Sequence, residues 1–203
     1  AMPKVIDYGV DNAWPYCVHA DKSNNIYVFY QLSDGKYMQI GYKKYIAQQK
    51  LWGEFTPITR HSGDCEFPRA VIDSGNIIHI CYQRHSQKQY ELVYQQKIPD
   101  KNIWTSECII HSSPYSFEDA SVLCVNNKIV VYWIRNDTIY YSSSNDSGVT
   151  WSKPLRYNFF QGRQLMCLYY SSNTTYDKEK VAVKDIPGVF INGLKIAFYS
   201  EVV

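Results

Sequence analysis

Hydrophobic and polar positions along this chain alternate in short bursts, and no stretch keeps the 3.6-residue spacing of an amphipathic helix. The bursts are rich in Ile, Val, Tyr and Phe, side chains that suit a pleated, half-buried surface. Gly, Asn, Asp and Ser separate them, because these residues tolerate turn dihedrals. The second of the repeating units described below shows the pattern most cleanly. It predicts strands over Arg69–Asp73, Ile77–Gln83, Tyr90–Gln96 and Cys108–His111, with a Ser74-Gly75-Asn76 turn between the first two.

The pattern recurs. Asn25-Ile26-Tyr27-Val28-Phe29-Tyr30-Gln31 reads like Asn76-Ile77-Ile78-His79-Ile80-Cys81-Tyr82-Gln83, and both read like Lys128-Ile129-Val130-Val131-Tyr132-Trp133. Their shared tyrosines, Tyr30, Tyr82 and Tyr132, are 52 and 50 residues apart. A Trp follows a polar turn in each unit (Trp52, Trp104, Trp151), and an aromatic residue followed by Pro or Glu precedes each unit: Trp14-Pro15, Phe67-Pro68 and Phe117-Glu118. Four short strands in each repeat of about 50 residues predict an all-β fold, a β-propeller. Each sheet has two faces to bury, so neighbouring sheets stack around an axis. The repeats run over about 14–65, 66–116 and 117–160, followed by an irregular stretch over 161–203, within one domain of residues 1–203. The alternative is a β-sandwich, which needs alternating hairpins without such a repeat.

Ile186 to Tyr199 aligns with Phe67 to Tyr82 and predicts the first two strands of a further blade. Tyr199 lies 67 residues after Tyr132, so an insertion precedes it, read as a strand pair over Leu165–Ser171 and Lys180–Lys184. Lys4–Gly9 is the candidate for the missing outer strand, since pairing chain ends hides open sheet edges. Closure as a ring of about four to five blades stands beside two alternatives: a piece of a larger propeller, and completion by a second copy as a homo-oligomer.

Composition narrows the partners. Aromatic residues make up 16%, with 19 Tyr, whose flat ring and polar tip suit wet binding surfaces. A net charge of +2 lacks the concentrated basic face that nucleic acid requires. No apolar run approaches a bilayer span. Six cysteines (Cys17, Cys65, Cys81, Cys108, Cys124, Cys167) form no CxxC pair. Five sit in apolar runs and read as reduced core thiols, which favours a reducing compartment. The abundance of Lys, Ile, Asn and Tyr, with little Ala, is associated with AT-rich bacterial genomes.

Ser144-Asn145-Asp146-Ser147-Gly148-Val149-Thr150-Trp151 suits a hairpin in which Asp146 accepts backbone N–H bonds, Gly148 takes a positive φ and Trp151 tucks between sheets. It resembles the Asp-box, S-x-D-x-G-x-T-W, of the bacterial neuraminidase repeat found in sialidases and related propellers, with Ser144, Asp146, Gly148, Thr150 and Trp151 at the fixed positions. The other units keep only the Trp. By repeat grammar the resemblance covers residues 14 to 156. It implies fold and not activity, because Asp-boxes in the family lie away from the catalytic face. A sialidase would bring three clustered arginines, an acid/base Asp and a Tyr–Glu nucleophile pair. In Phe67-Pro68-Arg69 the Pro and Arg stand in the reverse of the family's order, and Arg60, Arg84, Arg135, Arg156 and Arg163 sit in no family motif. Family members are often extracellular, against the reading of the cysteines, so compartment is left open.

The expected function is therefore non-catalytic binding of a carbohydrate or protein ligand. A sialidase-like glycoside hydrolase and a structural or assembly domain are the alternatives. A hydrolase needs two carboxyl groups about 5–10 Å apart across a sugar, and Glu66, Glu118 and Asp119 are the acids at unit junctions. Propeller ligands commonly lie over the loops that join blades and over the second-to-third strand loops. The residues placed there as candidate contacts are Trp14, Tyr16, Glu66, Arg69, Arg84, His85, Glu118, Asp119, Trp133, Arg135 and Arg163. No cofactor or metal is expected. His79 and Cys81 share one side of a strand, but two ligands do not make a closed four-ligand site. No Gly-rich phosphate loop or Cys–His signature occurs.

Overall fold

A computed structural model describes residues 6–8, 10, 16–99, 103–117, 119–158, 164–190 and 194–198. The described residues are all-β apart from one short helix, and their antiparallel sheets follow one another in sequence order. The first sheet holds β1 (Cys17–Ala20), β2 (Ile26–Ser33), β3 (Met38–Ile46), β4 (Leu51–Trp52) and β5 (Thr56–Pro57), the last two both on β3. The second repeats this plan with β6 (Cys65–Ile72), β7 (Ile78–Ser86), β8 (Gln89–Ile98), β9 (Ile103–Trp104) and β10 (Cys108–Ser113). The third has β11 (Ser121–Val125), β12 (Lys128–Arg135), β13 (Thr138–Ser144) and β14 (Leu155–Tyr157). A fourth, smaller sheet holds β15 (Met166–Tyr169), β17 (Asp185–Phe190) and β18 (Leu194–Ile196). Between its strands lie α1 (Thr175–Lys180) and β16 (Val181–Ala182), which pairs with β11. Among the described residues no helix is long and apolar enough to cross a membrane.

The period-2 alternation of side chains turns each sheet into a two-sided wedge. In β7, Ile78, Ile80 and Tyr82 pack against Phe29, Ile40 and Tyr42 of the first sheet. Cys81, between Ile80 and Tyr82, packs instead with Val122, Val131 and Trp133 of the third. The third sheet sends Leu123, Val130 and Tyr132 toward Ile186 and Phe198 of the fourth segment. Three apolar seams therefore join four sheets in a propeller-like stack. The first strands converge. The Cys17 thiol of β1 donates to the Pro68 carbonyl of β6 at 3.2 Å, and Arg69 of β6 reaches Asp185 of β17 at 3.7 Å. The Cys17 thiol also feels the charges of Lys184, Arg69 and Asp185.

The Trp marker has one structural meaning in two seams. Trp104 lies 6.4 Å from Tyr42 and Trp151 lies 4.7 Å from Tyr94, so each Trp packs against the third-strand tyrosine at a neighbouring seam. Tyr30, Tyr82 and Tyr132 are all buried second-strand residues, but the expected equivalence is corrected for the third. Tyr82 lies in the first seam, and Tyr30 likewise faces back, away from the second sheet that its neighbour Phe29 meets. Tyr132 points forward into the third seam. The turn length explains this. Residues 21–25 and 73–77 join the first two strands of the first two sheets, whereas Asn126 and Asn127 alone join β11 to β12. Removing three residues, an odd number, moves the aligned side chain to the other face.

Three other expectations need adjustment. Leu165–Ser171 meets Lys180–Lys184 only at its end, where Tyr170 N–H donates to the Lys184 carbonyl at 2.8 Å; β15 otherwise pairs with β17, and residues 175–180 form α1, capped by Thr174. The described part of Lys4–Gly9 is not a strand. It crosses the first sheet, where Asp7 bonds to Tyr30 and pairs with Lys43 at 3.4 Å. All six cysteines are free, but local apolarity does not rank their burial. Cys65, between Asp64 and Glu66, is fully buried, while Cys167, between Met166 and Leu168, is exposed.

Candidate functional site

The connection from the first sheet to the second is laced to β3. Gln39, buried despite its polarity, accepts from the Thr59 hydroxyl at 2.9 Å and from His61 N–H at 3.1 Å, and donates to the His61 carbonyl at 2.8 Å. Asp64 accepts from Met38 N–H at 2.8 Å. These bonds fix the wall of a cavity of about 490 Å³ at the loop end of the first sheet. Leu32, Phe55 and Pro57 supply its apolar surface, and Ser33, Asp34, Gln39, Arg60 and His61 its polar groups.

His61 joins this cavity to a charged cluster in the first seam. Arg84 and Glu91 face each other across the β7–β8 hairpin, and their side chains pair at 2.6 Å. Arg84 also bonds to Glu107, which meets His61 Nε2 at 2.6 Å and accepts from the Tyr82 hydroxyl at 2.8 Å. Burial pushes the Glu107 carboxyl up, but bonds from His61 and Tyr82 and the Arg84 charge outweigh it and hold the group below its ordinary range. Burial drives the Tyr82 phenol strongly upward, and the Glu107 charge adds to it. Arg84 is thus a fixed cation shared by two carboxylates, and Tyr82 a fixed donor.

The sequence candidates scatter over this loop end. Arg84 is the hub of the cluster. His85 is exposed and lies 4.9 Å from the Tyr90 ring across the same hairpin. Arg135 is exposed at the corresponding hairpin of the third sheet, 3.9 Å above the Tyr115 ring. Lys36 covers Tyr37 in the same way at the first sheet, at 4.8 Å. Every second-to-third strand hairpin of the first three sheets therefore carries a basic or imidazole group on an aromatic ring. Tyr16 is 55% exposed, and Asp119 is exposed. Glu66 accepts from Gln83 at 3.3 Å beside a β-bulge, and Arg69 lies inward with Asp185. Trp133, by contrast, is a core residue, 4% exposed and stacked 5.1 Å from His111. Trp14, Glu118 and Arg163 lie outside the described residues. Glu91, Glu107, Gln39 and Phe55 also belong to this end, and no motif in the sequence marks them. A hairpin turn placed at Gln87-Lys88 would have set Glu91 opposite Arg84.

The Ser144–Trp151 turn lies elsewhere, at the third-to-fourth strand junction of the third sheet. Asp146 accepts from Thr150 N–H at 2.9 Å and from the Thr150 hydroxyl at 2.5 Å, while Ser144 donates to Asp146 at 2.7 Å. These bonds pull the Asp146 carboxyl down to about 2. Trp151 Nε1 donates to the Gly148 carbonyl at 3.2 Å.

No family model and no curated protein sequence matches the chain. Solved structures do. An endo-arabinase from Bacteroides thetaiotaomicron is 14% identical, with 95% of this chain and 81% of that one covered and a TM-score of 0.53. The polysaccharide lyase Uly1 is 9% identical, with 91% and 49% covered and a TM-score of 0.53. The NanB sialidase from Streptococcus pneumoniae is 17% identical, with 76% and 27% covered and a TM-score of 0.47. The chain spans about half the length of the lyase and about a quarter of the sialidase. At these identities the likeness is one of fold.

Proposed function

We propose that the chain is a carbohydrate-binding propeller unit without hydrolytic activity, with its ligand over the loop end of the first sheet and first seam. The observation that carries this reading is the cavity itself. It combines an aromatic ring and two apolar side chains with an Asp, a Gln, an Arg and a His, and hydrogen bonds brace its wall. An aromatic face covers the apolar side of a sugar, and fork-shaped or amide donors hold hydroxyls and carboxylates. The basic–aromatic pairs at the three hairpins extend the same chemistry along the loop end. The endo-arabinase and the lyase, which share the fold, are named for acting on carbohydrate, and this favours a glycan over a peptide.

Asp7, Asp34, Asp73, Glu107 and Asp146 are each held below the ordinary carboxylate range, the opposite of the raised carboxyl that a glycosidase uses as its acid. The hydrogen-bonded Ser144–Trp151 turn supports the Asp-box reading, and the converging first strands support a ring of about four to five blades.

A glycan array followed by titration calorimetry tests the proposal. The protein is expected to retain at least one glycan class, and Arg60→Ala, an exposed change at the rim, is expected to weaken binding about tenfold, the loss of roughly one charge-assisted hydrogen bond. Retention of no glycan, or steady hydrolysis of a retained one, would sink it.

A further inference from the structure

At the opposite end of the second seam, three ligand-type side chains meet. Asp73 opens the turn between β6 and β7. Its Oδ1 accepts the N–H groups of Gly75 and Ile77 at 2.8 Å each, so Oδ2 is left to face His79 Nε2 at 3.3 Å. Cys124, the penultimate residue of β11, comes from the third sheet. The ligating atoms of Asp73, His79 and Cys124 lie within 4.8 Å of one another. His79 is 2% and Cys124 5% exposed.

A relay of hydrogen bonds sets the tautomer of His79. Gln96 donates its amide N–H to the Ser147 carbonyl at 3.0 Å, so its Oε1 is turned to accept the Tyr94 hydroxyl at 3.2 Å. The Tyr94 oxygen then accepts from His79 Nδ1–H at 2.8 Å. The proton of a neutral His79 is therefore on Nδ1, and the lone pair of Nε2 points at a carboxylate oxygen. A buried imidazole lone pair and a half-buried carboxylate oxygen held this way favour a cation between or beside them, either a proton on Nε2 or a metal ion. A proton alone would make a charge-assisted bond, for which 3.3 Å is long. It would also leave the nearby sulfur unexplained.

We infer that Asp73 Oδ2, His79 Nε2 and Cys124 Sγ form a binding site for a borderline divalent cation of the zinc type, clamping the second sheet to the third. Mixed oxygen, nitrogen and sulfur donors are the set such ions take, and a hydrogen-bonded second imidazole nitrogen is their usual outer support. On binding, the Cys124 thiol proton passes to solvent and three lone pairs bind the ion. Water fills the fourth position, reached from the partly exposed Asp73 side. Sequence reading set Cys81 beside His79; the sulfur that meets His79 comes instead from the next sheet.

The test is titration of metal-stripped protein with zinc, and with cobalt as a spectroscopic stand-in. The expected result is one ion per chain, released protons, and a thiolate-to-cobalt charge-transfer band. A rise in Tm of about 5–10 °C is expected at zinc about 100-fold above Kd. Cys124→Ala, a small change in the core, should abolish the charge-transfer band. Asp73→Asn should weaken uptake at least about tenfold. If Cys124→Ala does not fold, the wild-type spectrum together with Asp73→Asn decides. A wild-type protein that takes up no stoichiometric metal, or cobalt bound without a thiolate band, overturns the inference. So does a band that persists unchanged in Cys124→Ala.

Discussion

The first and second seams use the same positions and end differently. Asp21 and Asp73, Tyr27 and His79, and Tyr42 and Tyr94 are each 52 residues apart and occupy matching places in their sheets. In the first seam a cavity of about 460 Å³ stays open between Asp21, Tyr27, Tyr42 and Ile72, with Lys44 and Lys97 each 4.9 Å from a tyrosine ring. In the second, the matching place is closed. Tyr94 bonds to His79, Trp151 presses edge-on against Tyr94, and Asp73 and Cys124 complete the cluster. The first seam carries its buried charge at the loop end, around Arg84, and the second at the opposite turn end. A repeat thus fixes backbone register more strictly than side-chain chemistry. Positions that match in register but differ in residue type are where separate functions can be built.

The largest effect is expected where the first seam holds its charge. Arg84→Ala leaves Glu91 and Glu107, whose side chains are 11% and 25% exposed, without their shared cation. The expected loss is about 3–4 kcal/mol in urea unfolding, as for a buried pair broken on one side. Adding Glu107→Gln should recover part of it, because one stranded charge is removed with its partner. A loss below about 1 kcal/mol would place the cluster among solvent-screened surface pairs, and the first seam would then be open at both ends.

Acid separates the seams next. His19 of β1 has a buried Nε2 with no hydrogen-bond partner. Burial, helped by the Lys184 charge, lowers its pKa from 6.5 to about 4. The unfolded chain binds this proton first as pH falls, so the contribution of neutral His19 is complete above pH 6.5 and drains away toward pH 4. The loss is about 3 kcal/mol. His111, at the second seam, is lowered in the same direction by burial and the Arg135 charge. Asp73 behaves oppositely. Burial raises its carboxyl, but the hydrogen bonds it accepts, those from the turn N–H groups among them, outweigh this and hold it below its ordinary value. Its contribution is present above the normal carboxylate range and is lost only below it. Unfolding midpoints at pH 7, 5.5 and 4.5 should fall steeply for the wild type and more gently for His19→Gln. Asp73→Asn should leave the slope above pH 4.5 unchanged. A wild-type profile flat from pH 7 to 4.5 would mean that His19 reaches water.

Local pattern made much of this legible. Alternation placed the strands of the second sheet, and the turn chemistry of Ser144–Trp151 announced its own hydrogen bonds. What the sequence hid depends on register between segments. Loop placement predicts ligand contacts at both Trp133 and Arg135. Both lie on one strand, but Trp133 is sealed into the second seam while Arg135 extends beyond it onto Tyr115. Tyr132 faces the wrong way because a shortened turn removes an odd number of residues. Glu107 and Cys124 were invisible as site residues because their partners come from other strands or another sheet. Neither spacing nor composition encodes those meetings.

The smallest effect tests whether the second seam is closed on Tyr94. Gly148 has φ +83, and a Cβ added there would lie 2.9 Å from Tyr94 Cε1 and 3.0 Å from its hydroxyl. Gly148→Ala therefore meets two obstacles, a backbone conformation that alanine adopts poorly and a ring that must move off His79. The expected cost is about 2 kcal/mol. Gly53→Ala in the first sheet is the matched control, because its new methyl would find nothing nearer than the Lys44 carbonyl at 3.6 Å, and a change within about 0.5 kcal/mol is expected. The contrast between the two variants carries the argument, since both add one methyl group to a glycine near a sheet's fourth strand. Equal stability in the pair would mean that Tyr94 yields freely. A tyrosine that yields could not hold the His79 tautomer on which the second seam's chemistry rests.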